Sequence, residues 1–169
     1  MEKKNGTEWD DRYLTGIEQI DDQHRELVRM IGEVFPEGAD NDETRSFFRR
    51  NIFRLIQYVK YHFGEEERFM EKINYPDLAV HAKQHGKFVE ELLELAKRTE
   101  EDKFFSPAAT THYLLDNILT HIAHVDKKYA TFIHVLSFQA ENSGKLNRPA
   151  RRSAFWHEMQ SLPTEAFIG

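Results

Sequence analysis

The segment YHFGEEERF, residues 61–69, places a histidine and a glutamate four positions apart in a stretch typical of an amphipathic helix. A spacing of four puts His62 and Glu66 on one face of that helix. This face is the apolar one, because both residues belong to a series of positions that repeats in alternating steps of four and three. The series is Phe48, Ile52, Leu55, Val59, His62, Glu66, Phe69 and Ile73. Two polar groups that are costly to bury are therefore predicted to point into a protein core.

Three further segments show the same periodicity, and short clusters of helix breakers separate them. Pro76 and Pro107 are expected at first helical positions, and Ser106 is expected to cap the fourth helix. Helices of this length with short loops predict an all-α, antiparallel up-down four-helix bundle. We assign residues 1–136 to the bundle domain, with an N-terminal arm, and residues 137–169 to a C-terminal extension. The predicted helices span about residues 17–35, 42–73, 76–98 and 107–136.

Composition narrows the class of protein further. The chain has 169 residues, no cysteine and a net charge of −6, with a pI of about 5.8. The lack of cysteine excludes disulfides, thiolate metal sites and cysteine nucleophiles. The acidic balance argues against nucleic-acid binding. No apolar run is long enough for a membrane span and the start MEKKNGTEWDD is not a signal peptide, so we expect a cytoplasmic protein. Any bound metal ion would need imidazole and carboxylate ligands.

Histidines occupy inward positions on all four predicted helices. A single histidine on an apolar face is usually a satisfied core residue. Several at similar depth need a common partner, because neutral imidazoles packed together leave lone pairs unmatched. A cation would be such a partner, and the spacing of four in His62/Glu66 and in His81/His85 lets each helix offer two ligands to one point. The inward histidines are His24, His62, His81, His85 and His121.

Four short motifs surround these histidines. They are DDQH (21–24), YHFGEE (61–66), YPDLAVHAKQH (75–85) and HIAHVDKKY (121–129). Together they resemble the motifs of the hemerythrin family, and of bacterial hemerythrins in particular. The resemblance covers about residues 9–136, beginning at Trp9, and ligand-type residues occur in the family's order and spacing. It implies two non-haem iron ions with an oxo or hydroxo bridge, held between the helices.

The resemblance also implies which residues bind each iron ion. His81, His85 and His121 would bind one ion, His24 and His62 the other, and Glu66 and Asp126 would bridge both. Two six-coordinate ions offer twelve positions, and these ligands with the bridging oxygen fill all but one. The open position lies on the ion with two histidines and would accept O₂, or other small ligands such as azide, NO or peroxide. The ligand chemistry alone leaves zinc and manganese as alternatives to iron.

Asp126 is one residue out of step for a regular helix. It follows His121 by five residues, a rotation of about 140°, so a regular helix cannot present both side chains to one point. The apolar series slips by one residue at the same place and resumes at Tyr129 and Phe132. We predict a single π-type turn between His121 and Asp126, which absorbs the extra residue. The alternative makes Asp126 a surface acid and His124 the ligand.

The resemblance implies reversible O₂ binding for storage, transport or delivery. Residues near the ligands would form the O₂ pocket, with apolar walls that limit water. Asn117 would also line it, at a position where bacterial hemerythrins often have tryptophan, and its small polar amide predicts faster autoxidation. Hydrogen-bond partners of the histidines are expected among Gln19, Asp22, Gln23 and Gln84. The apolar pocket residues are Leu27, Phe63, Ile118 and Ile122.

Two other functions fit the same residues. The chain could be an oxygen or redox sensor that signals through residues 137–169, the segment that would contact a protein partner. It could instead be a di-iron peroxidase or an NO-handling enzyme. The sequence shows no nucleophile and no acid–base pair apart from the expected ligands, so we expect a binding protein rather than an enzyme.

Overall fold

The computed structural model describes residues 9–34, 42–101 and 105–142, and the statements below refer to these residues. They are helical apart from short turns, and they contain no strand. A 3₁₀ turn, Asp11–Tyr13, precedes the first helix, and a π-helical turn, Ile122–Asp126, joins the last two helices into one continuous segment. The α-helices are α1 (Glu18–Val34), α2 (Asp42–Lys72), α3 (Leu78–Glu101), α4 (Pro107–His121) and α5 (Lys127–Asn142). The predicted all-α bundle is therefore confirmed.

Two hydrophobic clusters at opposite ends of the bundle show the direction of each helix. In the first, which we call the large cluster, Leu27 from the second half of α1 packs with Phe48 from the start of α2. In the second, the small cluster, Ile20 near the start of α1 packs with Phe69 near the end of α2. Consecutive helices with ends paired in this way run antiparallel.

The other two helices follow the same arrangement. Leu78 at the start of α3 packs against the small cluster, and Leu92, further along α3, belongs to the large cluster. Leu114 of α4 belongs to the large cluster and Tyr129 of α5 to the small one, so the fourth helical segment reverses direction again. The topology is up-down-up-down. The polar residues predicted to face inward all lie between the two clusters.

The connection between α2 and α3 differs from the prediction at one end. α2 closes with a Schellman-type turn, in which the amide of Tyr75 donates to the carbonyl oxygen of Met70 at 2.9 Å and Asn74 has a φ of 52°. α3 then begins at Leu78, because Pro76 belongs to a turn in which the Leu78 amide donates to the Tyr75 carbonyl at 3.3 Å. The expectation that Pro76 occupies the first helical position is therefore wrong.

The other predicted boundaries are mostly close to the observed ones. The Ser106 hydroxyl accepts from the amide of Ala109, and Pro107 is the first residue of α4, as predicted. α5 continues to Asn142, beyond the predicted end near residue 136, because the sequence has no proline or glycine before Gly144. The predicted break between the first two helices, at residues 36–38, lies outside the described residues. No helix in the described part of the chain is long and apolar enough to cross a membrane.

The predicted π-type turn is confirmed. Residues Ile122–Asp126 form it, and Asp126 points into the bundle with no solvent exposure. His124, in the same turn, is exposed. The alternative that made Asp126 a surface acid and His124 the ligand is therefore wrong.

Deletion of Ala123 should test the role of this turn. The π turn holds one more residue than a regular turn, so the deletion leaves His121 and Asp126 four residues apart on one face of a regular helix. We expect metal-free protein with this deletion to keep a cooperative thermal transition, measured by circular dichroism. Deletion of the exposed Asp116 from the regular part of α4 rotates its neighbours by about 100° and should abolish that transition. Equal damage from both deletions would contradict the interpretation.

Candidate metal centre

Seven polar side chains converge in the centre of the bundle, between the two hydrophobic clusters. They form two overlapping groups, and within each group the potential ligand atoms lie no more than 4.8 Å apart. All are buried except His121, whose side chain is 12% exposed. One group is His24, His62 and Glu66, and the other is Glu66, His81, His85, His121 and Asp126. The structure thus brings together every residue that the sequence predicted as a metal ligand.

The two carboxylates each contact both groups of histidines. Glu66 Oε1 lies 3.4 Å from His24 Nε2, and Glu66 Oε2 lies 3.1 Å from His85 Nε2. Asp126 Oδ2 lies 3.3 Å from His24 Nε2, and Asp126 Oδ1 lies 3.0 Å from His121 Nε2. Each carboxylate therefore spans the space between the two-histidine group and the three-histidine group, the arrangement that two neighbouring cations would require.

The three-histidine group has the spacing of ligands around one ion. His85 Nε2 lies 2.9 Å from His81 Nε2 and 3.2 Å from His121 Nε2. Nitrogen atoms about 2.1 Å from a metal ion and at right angles to one another would be about 3.0 Å apart. Both observed distances are close to that value, so His85 Nε2 lies where it would share one ion with His81 and with His121.

Several buried atoms of the site lack a hydrogen-bond partner within the described residues. They are His24 Nδ1 and Nε2, His62 Nε2, Glu66 Oε2, and both carboxylate oxygens of Asp126. Buried polar atoms are nearly always satisfied in folded proteins, and an unpaired atom marks a strained, functional or ion-binding position. With the exception of His24 Nδ1, these atoms belong to contacts between imidazoles and carboxylates: those described above, and that of His62 Nε2 with Glu66 Oε2 at 3.7 Å. Metal ions between them would satisfy their lone pairs.

The electrostatics of the site favour anionic carboxylates. Burial alone would raise the pKa of Asp126, but the neighbouring His121 and His24 hold this pKa well below its ordinary value. Burial alone would lower the pKa of His24, but the nearby carboxylates of Asp126 and Glu66 raise it to about 9. His62 differs, because burial lowers its pKa to about 3. Strong, opposed shifts of this kind in a buried cluster are typical of functional sites.

The contacts outside the seven residues were only partly predicted. Of the four expected hydrogen-bond partners, Gln23 alone contacts a histidine of the site among the described residues, with its Oε1 3.0 Å from His62 Nδ1. The Gln19 amide nitrogen is buried and has no hydrogen-bond partner in the described part of the chain, and Asp22 pairs with Arg25 at the surface. Gln84 is exposed.

Two further contacts were missed by the sequence analysis. The Tyr129 hydroxyl donates to Glu66 Oε1 at 2.7 Å, and Glu67 Oε1 lies 2.9 Å from His85 Nδ1. Tyr129 stands three residues after Asp126, at the start of α5, and that spacing could have identified it. Glu67 had no such signal, because the alternation of the helix assigns it to the outside.

The residues predicted to wall an O₂ pocket are mostly apolar and buried. Leu27, Ile118 and Ile122 belong to the large cluster and have no exposed surface. The Phe63 ring stacks on the imidazole of His85, with centroids 3.7 Å apart and planes inclined by 2°. Asn117 is half-buried on α4, one turn before His121. The large cluster thus borders the site on the side of these four apolar residues.

The fold and the site define a class of protein: a four-helix bundle that holds metal ions between its helices through histidine and carboxylate ligands. A family model, the hemerythrin HHE cation binding domain, matches residues 15–133. The chain belongs to the hemerythrin family, which binds non-haem iron.

Relatives from several sources are similar over most of their length. A bacteriohemerythrin from Methylococcus capsulatus is 32% identical over 115 residues, which cover 68% of this chain and 86% of the relative. A bacteriohemerythrin from Stenotrophomonas maltophilia is 29% identical, with 85% of this chain and 95% of the relative covered. A crystal structure of wild-type hemerythrin is 30% identical and covers 73% of this chain and 95% of its own, with a TM-score of 0.66.

Replacement of Tyr129 by phenylalanine should destabilise the metal-free protein. The variant removes the hydroxyl that donates to Glu66 and leaves a fully buried carboxylate oxygen without this bond, at a cost of about 1–3 kcal/mol. Urea unfolding measures the loss. Tyr75→Phe is the matched control, because Tyr75 lies in the same small cluster and its hydroxyl makes no hydrogen bond within the described residues. Equal effects of the two variants would show that the hydroxyl contact contributes nothing.

Proposed function

We propose that the chain binds two non-haem iron ions, linked by an oxo or hydroxo bridge, and uses them to bind O₂ reversibly for storage, transport or delivery. In this proposal His81, His85 and His121 bind one ion, and His24 and His62 bind the other. Glu66 and Asp126 bridge the two. The observation that carries the proposal is the position of the two carboxylates, each of which lies within 3.4 Å of histidines from both groups.

The unequal number of histidines supports a binding site rather than a purely structural one. On one ion, three imidazoles and one oxygen from each bridging carboxylate would fill coordination positions. On the other ion, only two imidazoles and the two carboxylate oxygens would do so, which leaves one more position unfilled by the protein. When bound, the iron pair would supply an open coordination position and the electrons that reversible O₂ binding requires. Only two anionic side chains face the ions, whereas carboxylate-rich di-iron bundles supply four glutamates and two histidines. This ligand set favours O₂ binding over oxidative catalysis.

The protein's own residues would hold the ligands in place and exclude water. Gln23 accepts from His62 Nδ1, which leaves His62 Nε2 free to face the ion. Tyr129 holds Glu66 through its hydroxyl. Phe63, Ile118 and Ile122 pack beside the site with 3% exposure or less. This apolar wall would limit the entry of water and protons, and hence the loss of bound oxygen as peroxide.

The sensor and the enzyme remain the alternatives. The segment through which a sensor would signal lies mostly in residues 143–169, outside the described residues. The division into a bundle at residues 1–136 and an extension at 137–169 stays a prediction, although α5 itself continues to Asn142. Neither alternative has an observation in its favour among the described residues.

Anaerobic loading with ferrous iron, followed by O₂ titration, tests the proposed function. We expect two iron ions per chain and a visible absorption band that appears with O₂ and disappears when O₂ is removed. His121→Ala should lower iron uptake, whereas His124→Ala, the same change at the exposed position three residues on, should not. Rapid turnover of added peroxide without a reversible band would favour the enzyme instead. A protein that takes up no iron would contradict the proposal.

Asn117→Trp should slow autoxidation. An indole one turn before His121 would replace a small polar amide with a bulky apolar ring and so restrict water near the site. The measurement is the half-life of the O₂-dependent absorption band in air. Asp116→Trp, which adds the same side chain at the exposed neighbouring position, controls for a general effect of tryptophan on the protein. If the absorption band of Asn117→Trp decays as fast as that of the parent protein, Asn117 does not affect autoxidation at the site.

A further inference from the structure

The two histidine groups differ in the charge of the residues that hold their outer ring nitrogens. Gln23 Oε1 lies 3.0 Å from His62 Nδ1, so the partner of the two-histidine group is a neutral amide. Glu67 Oε1 lies 2.9 Å from His85 Nδ1, so the partner of the three-histidine group is a carboxylate. Both oxygens accept hydrogen bonds. Each imidazole therefore carries its proton on Nδ1 and directs Nε2 at the centre of the site.

His85 is held firmly enough for the charge of Glu67 to act through it. Its side chain is 2% exposed, and the stacked ring of Phe63 covers one face at 3.7 Å. Glu67 is 38% exposed and comes from α2, directly after the bridging residue Glu66. The carboxylate thus stands at the edge of the bundle, with the imidazole of His85 between it and the buried site.

A carboxylate at the outer nitrogen makes an imidazole a stronger electron donor. The hydrogen bond from Nδ1–H to an anion increases the basicity of Nε2, and such partners of metal-binding histidines alter metal affinity by about 10- to 100-fold. A charge-assisted hydrogen bond is also stronger than one to a neutral amide. A stronger donor stabilises the higher oxidation state of a bound metal ion. The Gln23 amide gives His62 no comparable negative charge.

We propose that Glu67 makes the three-histidine position the more easily oxidised of the two metal positions. This proposal rests on the proposed function, because it presumes an iron pair. Glu67 is a positioning residue in this sense: it acts through His85 and does not touch a metal ion itself. The difference between Glu67 and Gln23 would separate the two one-electron oxidations, so that the half-oxidised pair is a stable state of the protein.

The amount of half-oxidised protein provides the test. Iron-loaded protein is titrated with an oxidant while the mixed-valence form is followed by electron paramagnetic resonance. Glu67→Gln keeps an acceptor of similar shape but removes the charge, and Gln23→Glu adds a charge on the other side. Each change alone makes the two positions more alike and should lower the maximum amount of mixed-valence protein. The two single variants should lower this amount to a similar extent, because each cancels the same difference in charge.

Glu71→Gln is the matched control, since it removes the same charge from an exposed position one turn further along α2. A second measurement follows the Nδ1 proton of His85 by nuclear magnetic resonance in zinc-loaded protein. This signal should shift in Glu67→Gln and stay in place in Glu71→Gln. A purely structural role for Glu67 would not explain a loss of mixed-valence protein in Gln23→Glu, where the contact between Glu67 and His85 is intact.

The outcomes separate this proposal from the proposed function. If iron-loaded protein binds O₂ but Glu67→Gln and Glu71→Gln give the same amount of mixed-valence protein, only the role of Glu67 is wrong. If Glu67→Gln and Gln23→Glu both lower that amount but no O₂ is bound, the role of Glu67 stands and O₂ binding is wrong. If no variant takes up iron, both proposals fail.

Discussion

Two carboxylates buried in the centre of a helical bundle, facing five imidazoles, are the constraint on which the rest of this structure depends. Removing a single carboxylate from water costs several kcal/mol even after the protein relaxes. Protonated histidine offsets part of that cost in the absence of metal, because Glu66 and Asp126 hold the pKa of His24 at about 9. Unpaired lone pairs remain on both carboxylates. Metal binding releases on the order of 10 kcal/mol at the structural zinc sites of small protein domains, and a free energy of that size is large enough to offset such a cost.

The division of the core into two hydrophobic clusters follows from this constraint. The large and the small cluster lie on either side of the polar layer. The large cluster contains side chains from all four helical segments. The small cluster contains side chains from three of them, and Leu78 of the remaining segment packs against it. Apolar burial contributes about 25 cal/mol per Å², so the clusters can stabilise the bundle independently of the site. The two clusters then hold the seven polar residues at the same height along the bundle. Packing at both ends therefore positions the site, and the contacts within the site offset the cost of burying its carboxylates.

The sequence predicted most of this arrangement, for a physical reason. Buried positions of a bundle helix repeat every three or four residues, so a polar residue in such a series stands out against its neighbours. For this reason the apolar periodicity alone was enough to place His24, His62 and Glu66 in the core. The predicted start of α3 was wrong because Pro76 satisfies the rules for a first helical position as well as those for a turn. The left-handed backbone conformation of Asn74 favours the turn over the helical position. The periodicity of apolar residues carries no information on backbone conformation at a single residue.

Outer contacts such as Glu67 with His85 are harder to predict than ligands, and the reason matters for function. A ligand must lie on the buried face of its helix, whereas a residue that holds the far nitrogen of an imidazole stands at the boundary with solvent. Its periodicity is that of an ordinary surface residue. Glu67 is 38% exposed and is separated from His85 by 18 positions in the sequence, so only the packing of α2 against α3 joins them. Bundles with the same seven buried polar residues can therefore differ in the charges around them. Differences in the redox behaviour of the site would then arise at positions that a motif of ligands does not contain.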